Sequence, residues 1–312
     1  MSPADANNNL HPKSMNIPKP AHLHIVLLFV IQMLWFGAAH AATPNAPISK
    51  EEAAKQAEIY RSRGENVPQN YVIDRSVISY GFTLSPEFNR ELASLGPADR
   101  WLDIGAGEGQ AVLDYYGDRY DAMNPQGREK RGKKAKSVAI SIEDRRTPRW
   151  QQVASGLEPN QIQYLFGKRL REYTLAELGK FQVITDVLGG FSYTENLSQF
   201  MERTLSILEV KGSFHTVLLD VQTEKGTNRA ATPQSPFLTS ITDAKGGEVS
   251  PCSWLKRITC VSVTCDVKKD WNFPIEIYRV HKVCDSVTVP PLSLNHYLAG
   301  TPPSRRFQLT SP

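Results

Sequence analysis

A chain of 312 residues with 40% apolar and 22% charged residues can bury a full core, which excludes disorder for the bulk of it. Its formal charge of +4 is modest and largely local to one run, GREKRGKKAK at 127–136, which holds six basic residues against one acid. No aromatic residues interleave there to stack bases, so the run reads as a solvated loop and nucleic acid is not an expected partner.

The N-terminus reads as a targeting segment. Lys13 and Lys19 precede the apolar run HIVLLFVIQMLWFGAA at 24–39, and Ala39-His40-Ala41 has the small-x-small form of a cleavage site. Residues 1–41 are therefore a signal peptide or a signal anchor. Cleavage after Ala41 gives a mature chain beginning at Ala42 and an exported, periplasmic or secreted protein. An uncleaved run at 24–42 approaches the length that spans a bilayer, and this is the only membrane contact the sequence suggests.

Residues 42–98 form an N-terminal helical segment. Ser49 and Glu52 make a capping box for a helix ending near Gly64, and Ser85-Pro86-Glu87 opens a second helix that runs to about Leu95. From Arg100 the pattern alternates. WLDI (101–104), SVAISI (137–142), IQYLF (162–166), FQVITD (181–186) and SFHTVLLD (213–220) read as strands. QAVLDYY (110–116), TLAEL (174–178, with Thr174 and Glu177 as a capping box) and LSQFMERTLSIL (197–208) read as helices between them. Strands apolar on both faces that alternate with helices imply a doubly wound, mostly parallel α/β sheet.

Residues 221–250 read as a long loop. WLKRITCVSVTC and IEIYRVHKVC then read as an antiparallel strand pair closing the edge of the same sheet. The tail 286–312 is proline-rich, shows no period, and is expected to be irregular. All four cysteines, Cys252, Cys260, Cys265 and Cys284, fall late in the chain and suggest two disulfides, which suits export. On one regular strand Cys260 and Cys265 face opposite ways and cannot bond each other; the pairing is otherwise open. With no C-x-x-C pair, no metal site is expected. His215 and His281, within strands, read as satisfied core or edge residues.

The stretch RWLDIGAGEGQAV at 100–112 carries the functional signal. A strand that ends in a tight glycine turn and feeds a helix aims backbone N–H groups at a ligand, and glycines permit close approach and positive φ. Dinucleotide binders require G-x-G-x-x-G, but position 110 is Gln. The spacing Asp103, Gly105, Gly107, Gly109 instead resembles motif I of the class I S-adenosylmethionine-dependent methyltransferases. The resemblance covers roughly 70–285, with the cofactor domain at 99–285. It implies a seven-stranded, mostly parallel sheet with an antiparallel edge strand, S-adenosylmethionine (SAM) as cofactor, and a methyl acceptor that no motif identifies.

By that resemblance Asp103 meets the methionine amino group, while Gly105, Ala106, Gly107 and Gly109 pass beside the ligand. Glu143, the first acid after the second strand, takes both ribose hydroxyls; a carboxylate suits this because it offers only acceptors. Where the family often places an acid for the adenine, this chain has Gly167-Lys168, which leaves that contact to a backbone group or another residue. Asp186 through Tyr193 resembles the segment lining the transfer site. Asp186 is the nearest general base, and Tyr193 is placed to meet the sulfonium by cation–π attraction. The competing expectation is an exported binding or structural module that keeps this fold without transfer, since little SAM is met outside the cytoplasm.

Overall fold

The computed structural model describes residues 75–117, 120, 134–142, 144–219, 239–268, 275–298 and 304–310. The chain divides into two units, Met1–His40 and Ala41–Pro312, and every described residue belongs to the second. The targeting segment, the Ser49 capping box, most of the basic run and Glu143 lie outside the described residues.

Strand β1 (Arg100–Ile104), β2 (Lys136–Ile140), β3 (Ile162–Leu165), β4 (Phe181–Val187) and β5 (Leu208–Leu219) are parallel and follow the order β3-β2-β1-β4-β5. The pair β8 (Val261–Lys268) and β9 (Ile275–Lys282) completes a seven-stranded sheet. β9 is antiparallel to both β5 and β8, so β8 closes the edge running with the central strands. This is the expected doubly wound, mostly parallel sheet, its one reversed strand lying in the closing pair.

Helices α1 (Val77–Thr83), α2 (Pro86–Ser94), α3 (Gln110–Tyr115) and α4 (Pro148–Ser155) cover one face. Ser76 caps α1 by accepting from the Ser79 N–H, and proline opens both α2 and α4 at the first turn, where its missing N–H costs nothing. The other face is covered by α5 (Leu175–Leu178), α6 (Gly190–Tyr193), α7 (Leu197–Ile207) and α8 (Pro251–Leu255). The Thr174–Glu177 capping box is formed reciprocally, as the sequence indicates.

Three segments differ from their sequence reading. The loop 221–250 contains β6 (Thr239–Thr242) and β7 (Glu248–Val249), and the unperiodic tail supplies β10 (Leu292–Leu298) and β11 (Ser304–Leu309). Together they make a second sheet of order β10-β11-β6-β7, which adds Ile241, Val249, Leu292 and Phe307 to the core on the α7 face. The strand reading of WLKRITC also fails at its start, because Ser250 caps α8 with Pro251 at the first helical position. The disulfides are Cys252–Cys265 and Cys260–Cys284, and neither joins Cys260 to Cys265.

Candidate cofactor site at the carboxyl end of β1

β1 is the strand from which the winding reverses: β2 and β3 follow on one side, β4 and β5 on the other. Open α/β sheets bind ligands outside the carboxyl ends of their strands at such a point. The glycine turn stands there. Gly105, Gly107 and Gly109 all have positive φ, at 73°, 59° and 81°, and Gly109 is the N-cap of α3. A Cβ on Gly105 meets the Gly189 Cα at 2.6 Å, and one on Gly109 meets the Trp150 ring at 2.5 Å. The turn is thus pressed between the backbone that follows β4 and a side chain of α4.

Several of its polar groups bond within the chain. The N–H groups of Gly105 and Ala106 donate to the Ile140 carbonyl at 2.9 and 3.0 Å, and the Gly109 N–H donates to the Ala106 carbonyl at 2.8 Å. The Tyr164 hydroxyl donates to the Gly107 carbonyl. Tyr164 reaches the turn from β3 because Ala139, its register partner on β2, is small; its ring stacks edge-on with Trp150 at 5.1 Å.

A row of residues in register crosses the sheet on this face: Ala139, Asp103, Thr185, His215 and Arg279. Asp103 is fully buried. The Tyr80 hydroxyl, from α1, shares its proton between the two Asp103 oxygens at 3.0 and 3.1 Å. Thr185 Oγ1 donates to Asp103 Oδ1 at 2.8 Å and accepts from Trp101 Nε1 at 2.9 Å. Burial, together with the Asp103 charge, pushes the Tyr80 phenol well above its usual range, so it remains a donor.

Further along the row, Glu91 of α2 receives His215 Nε2 at 2.7 Å on one oxygen and the Arg279 guanidinium on the other. Burial raises the Glu91 carboxyl, but His215 and Arg279 outweigh it and hold the group at about 2. Both strand histidines are hydrogen-bonded: Ser85 Oγ lies 3.4 Å from His215 Nδ1, and Ser213 Oγ 3.1 Å from His281 Nδ1. This cluster fastens α2 to β5 and β9, and so fixes where α1 emerges over β1.

On the opposite face, Asp186 is the penultimate residue of β4, in register with Ile104 and Thr216. It too is fully buried; its oxygens accept from the Gly189 and Phe191 N–H groups at 2.9 and 3.0 Å. Burial pushes its carboxyl up to about 7, against those N–H groups and the Arg305 guanidinium. Asp186 thereby shapes the turn into α6, where Leu188 has the left-handed φ of 57°. A bulky residue in that region costs about 1–2 kcal/mol, an outlier of the sort found beside functional sites. Tyr193 ends α6, half-buried.

Arg305 reaches this turn from β11, donating to the Phe191 and Thr194 carbonyls at 2.7 and 3.1 Å and to Thr239 Oγ1 at 2.8 Å. Ser192 Oγ and Thr216 Oγ1 are buried with no hydrogen-bond partner among the described residues.

The structure therefore brings Asp103, Gly105, Ala106, Gly107 and Gly109 to one turn, with Asp186 across the sheet from them and its following loop against Gly105. Asp144, next to Glu143, pairs with Arg146 at 2.7 Å. Lys168 pairs with Glu177. Sequence reading missed Tyr80, Thr185, Trp150, Tyr164 and Arg305, which meet the site only through long-range contacts. No protein-family model and no curated protein matches the chain.

Among solved structures, the chain is similar to an rRNA methylase from Streptococcus thermophilus, at 14% identity and a TM-score of 0.39 over 64% of this chain and 95% of that one. It is similar to magnesium protoporphyrin IX methyltransferase from Synechocystis PCC 6803 with bound SAH, at 13% identity and a TM-score of 0.39 over 75% and 95% of the two chains. It is also similar to the N-methyltransferase NodS from Bradyrhizobium japonicum WM9, at 13% identity and a TM-score of 0.34 over 63% and 93%.

Proposed function

We propose that this chain, which has the class I methyltransferase fold, binds S-adenosylmethionine and transfers its methyl group to an acceptor whose identity stays open. The observation that carries the reading is the positive-φ glycine turn at the carboxyl end of β1, at the point where the winding reverses. SAM supplies an activated methyl and its own leaving group, so the protein's task is mainly positioning.

In this reading Asp103 grips the ammonium of the methionine moiety and the turn 105–109 passes beside the cofactor. Glu143 takes the ribose hydroxyls. Asp186 holds the loop 188–193 against Gly105 and, with a carboxyl at about 7, is the nearest group to hold an acceptor's proton. Tyr193 is the aromatic residue offered to the sulfonium.

Calorimetric titration of the purified full chain with SAM is expected to give micromolar binding. Asp103→Ala should weaken it roughly 10- to 100-fold, the worth of a hydrogen bond to a charged group. A second reading, a binding or structural module of this fold without transfer, is favoured by the burial of Asp103 and by Lys168, paired with Glu177, standing where the family often has an acid. Absence of heat at millimolar SAM selects it.

We also propose that the protein is exported. The two disulfides support an oxidising compartment, and among the described residues no helix is long and apolar enough to cross a membrane. Mass spectrometry of the purified protein should find Ala42 as the first residue; an intact Met1 or Met15 start removes the cleavage claim and leaves the anchor.

A further inference from the structure

Asp103 is 0% exposed, so a ligand ammonium cannot reach its carboxylate unless a neighbouring group moves. Tyr80 and Thr185 both donate to it. Thr185 belongs to the central strand β4 and is tied in turn to Trp101, and moving it would break the sheet. Tyr80 belongs to α1, a helix of seven residues at the margin of the core.

Among the described residues, α1 is held by contacts at its two ends, by its buried side, and by Asn89 Nδ2, which donates to the Gly81 carbonyl at 3.4 Å. Ser76 caps its start, the Lys268 ammonium, from the end of β8, donates to the Phe82 and Leu84 carbonyls at its finish, and Val77, Tyr80 and Thr83 supply its buried side. Phe82, on its other side, is 66% exposed. An element this short with one wet face opens locally at a small fraction of the free energy of global unfolding.

We propose that Tyr80 is a latch on this site: its phenol occupies the carboxylate face of Asp103 that a ligand ammonium needs, and binding proceeds by displacement of Tyr80 and outward movement of α1. The inference rests on Asp103 being the ammonium partner in the proposed SAM site. Displacement is favourable in direction, because the ammonium brings a full opposite charge to the buried carboxylate where the phenol brings only a dipole. Its cost is carried in the apparent affinity, which falls by the fraction of molecules that are open.

The test is calorimetric titration of SAM into the full-length wild type, Tyr80→Phe and Thr185→Val, with hydrogen exchange of the amides of residues 77–83 in the wild type with and without SAM. Tyr80→Phe keeps the ring and removes the competing donor, so it should bind about tenfold more tightly, the worth of one hydrogen bond to a charged group. Thr185→Val loosens Asp103 without uncovering it and should bind more weakly. Exchange in 77–83 should quicken when SAM is added.

If the wild type binds SAM but Tyr80→Phe binds equally or less well, or exchange in 77–83 slows, the latch is wrong and the cofactor reading stands. If no protein takes up SAM at millimolar concentration, the cofactor reading fails and the latch falls with it.

Discussion

Gly105→Ala is expected to lower the unfolding free energy by about 2–5 kcal/mol, a large part of what a domain has to lose. Two costs add. A side chain at φ 73° meets the left-handed penalty of about 1–2 kcal/mol. Its Cβ also lands 2.6 Å from the Gly189 Cα, and because the obstacle is backbone, either β1 or the loop after β4 must shift, which costs about 1–3 kcal/mol.

Gly246→Ala separates the terms. Gly246 has a φ of 81° and no atom within 4 Å of an added Cβ, so it should carry only the first cost. Urea unfolding of both variants measures the difference. Equal losses would mean that the turn and the 188–190 loop are not pressed together, and the geometry on which the proposed site depends would be lost. The same shift should abolish SAM binding in Gly105→Ala, since Asp103 and the turn move with the strand end.

Much of this architecture is legible in the residues. β1, β4 and β5 are central strands, so both faces are apolar and the runs stand out; the Asp103–Gly109 turn follows the first of them without interruption. The helix starts at Ser85-Pro86 and Thr174–Glu177 are equally plain, although Ser85 makes no side-chain capping hydrogen bond and only the proline and the Thr174 box act as the sequence indicates.

The less legible parts fail for identifiable reasons. α1 has the sequence VISYGFT, with β-branched residues and a glycine that give it weak helical preference; tertiary contacts make it a helix. β10 and β11 lie among prolines that hide their alternation, and they form by pairing with each other and with β6 across more than 60 residues. The partners of Asp103 were invisible for the same cause. Thr185 is 82 residues from it and Tyr80 is 23, and only the register of β1 with β4 and the path of α1 bring them together. A glycine motif names the place of a ligand but not the side chains that close over it, which is why the sequence points to Asp103 as a contact and the structure finds it covered.

Reduction of the two disulfides is the other change expected to have a large effect. Cys252–Cys265 ties α8 to β8, and Cys260–Cys284 ties the residue before β8 to the end of β9, so both fasten the edge strand, which pairs on one side only. They close loops of 13 and 24 residues, each worth about 3 kcal/mol by constraining the unfolded chain. The longer loop should count for only about 0.5 kcal/mol more. Together they approach the whole stability of many domains.

Full reduction should therefore lower the melting temperature by about 12–24 °C at two to four degrees per kcal/mol. The pair variants Cys252→Ala with Cys265→Ala, and Cys260→Ala with Cys284→Ala, should each give about half of that. Because β8 lies four strands from β1, SAM binding measured well below the melting transition should survive reduction even as stability falls. A reducing agent that leaves the melting temperature unchanged, with four thiols titratable before it is added, would mean the cysteines are unpaired in solution and would remove the support they lend to export. A fall in melting temperature accompanied by loss of SAM binding at low temperature would instead mean that the edge pair and the glycine turn form one cooperative unit, coupled through β9, β5 and β4.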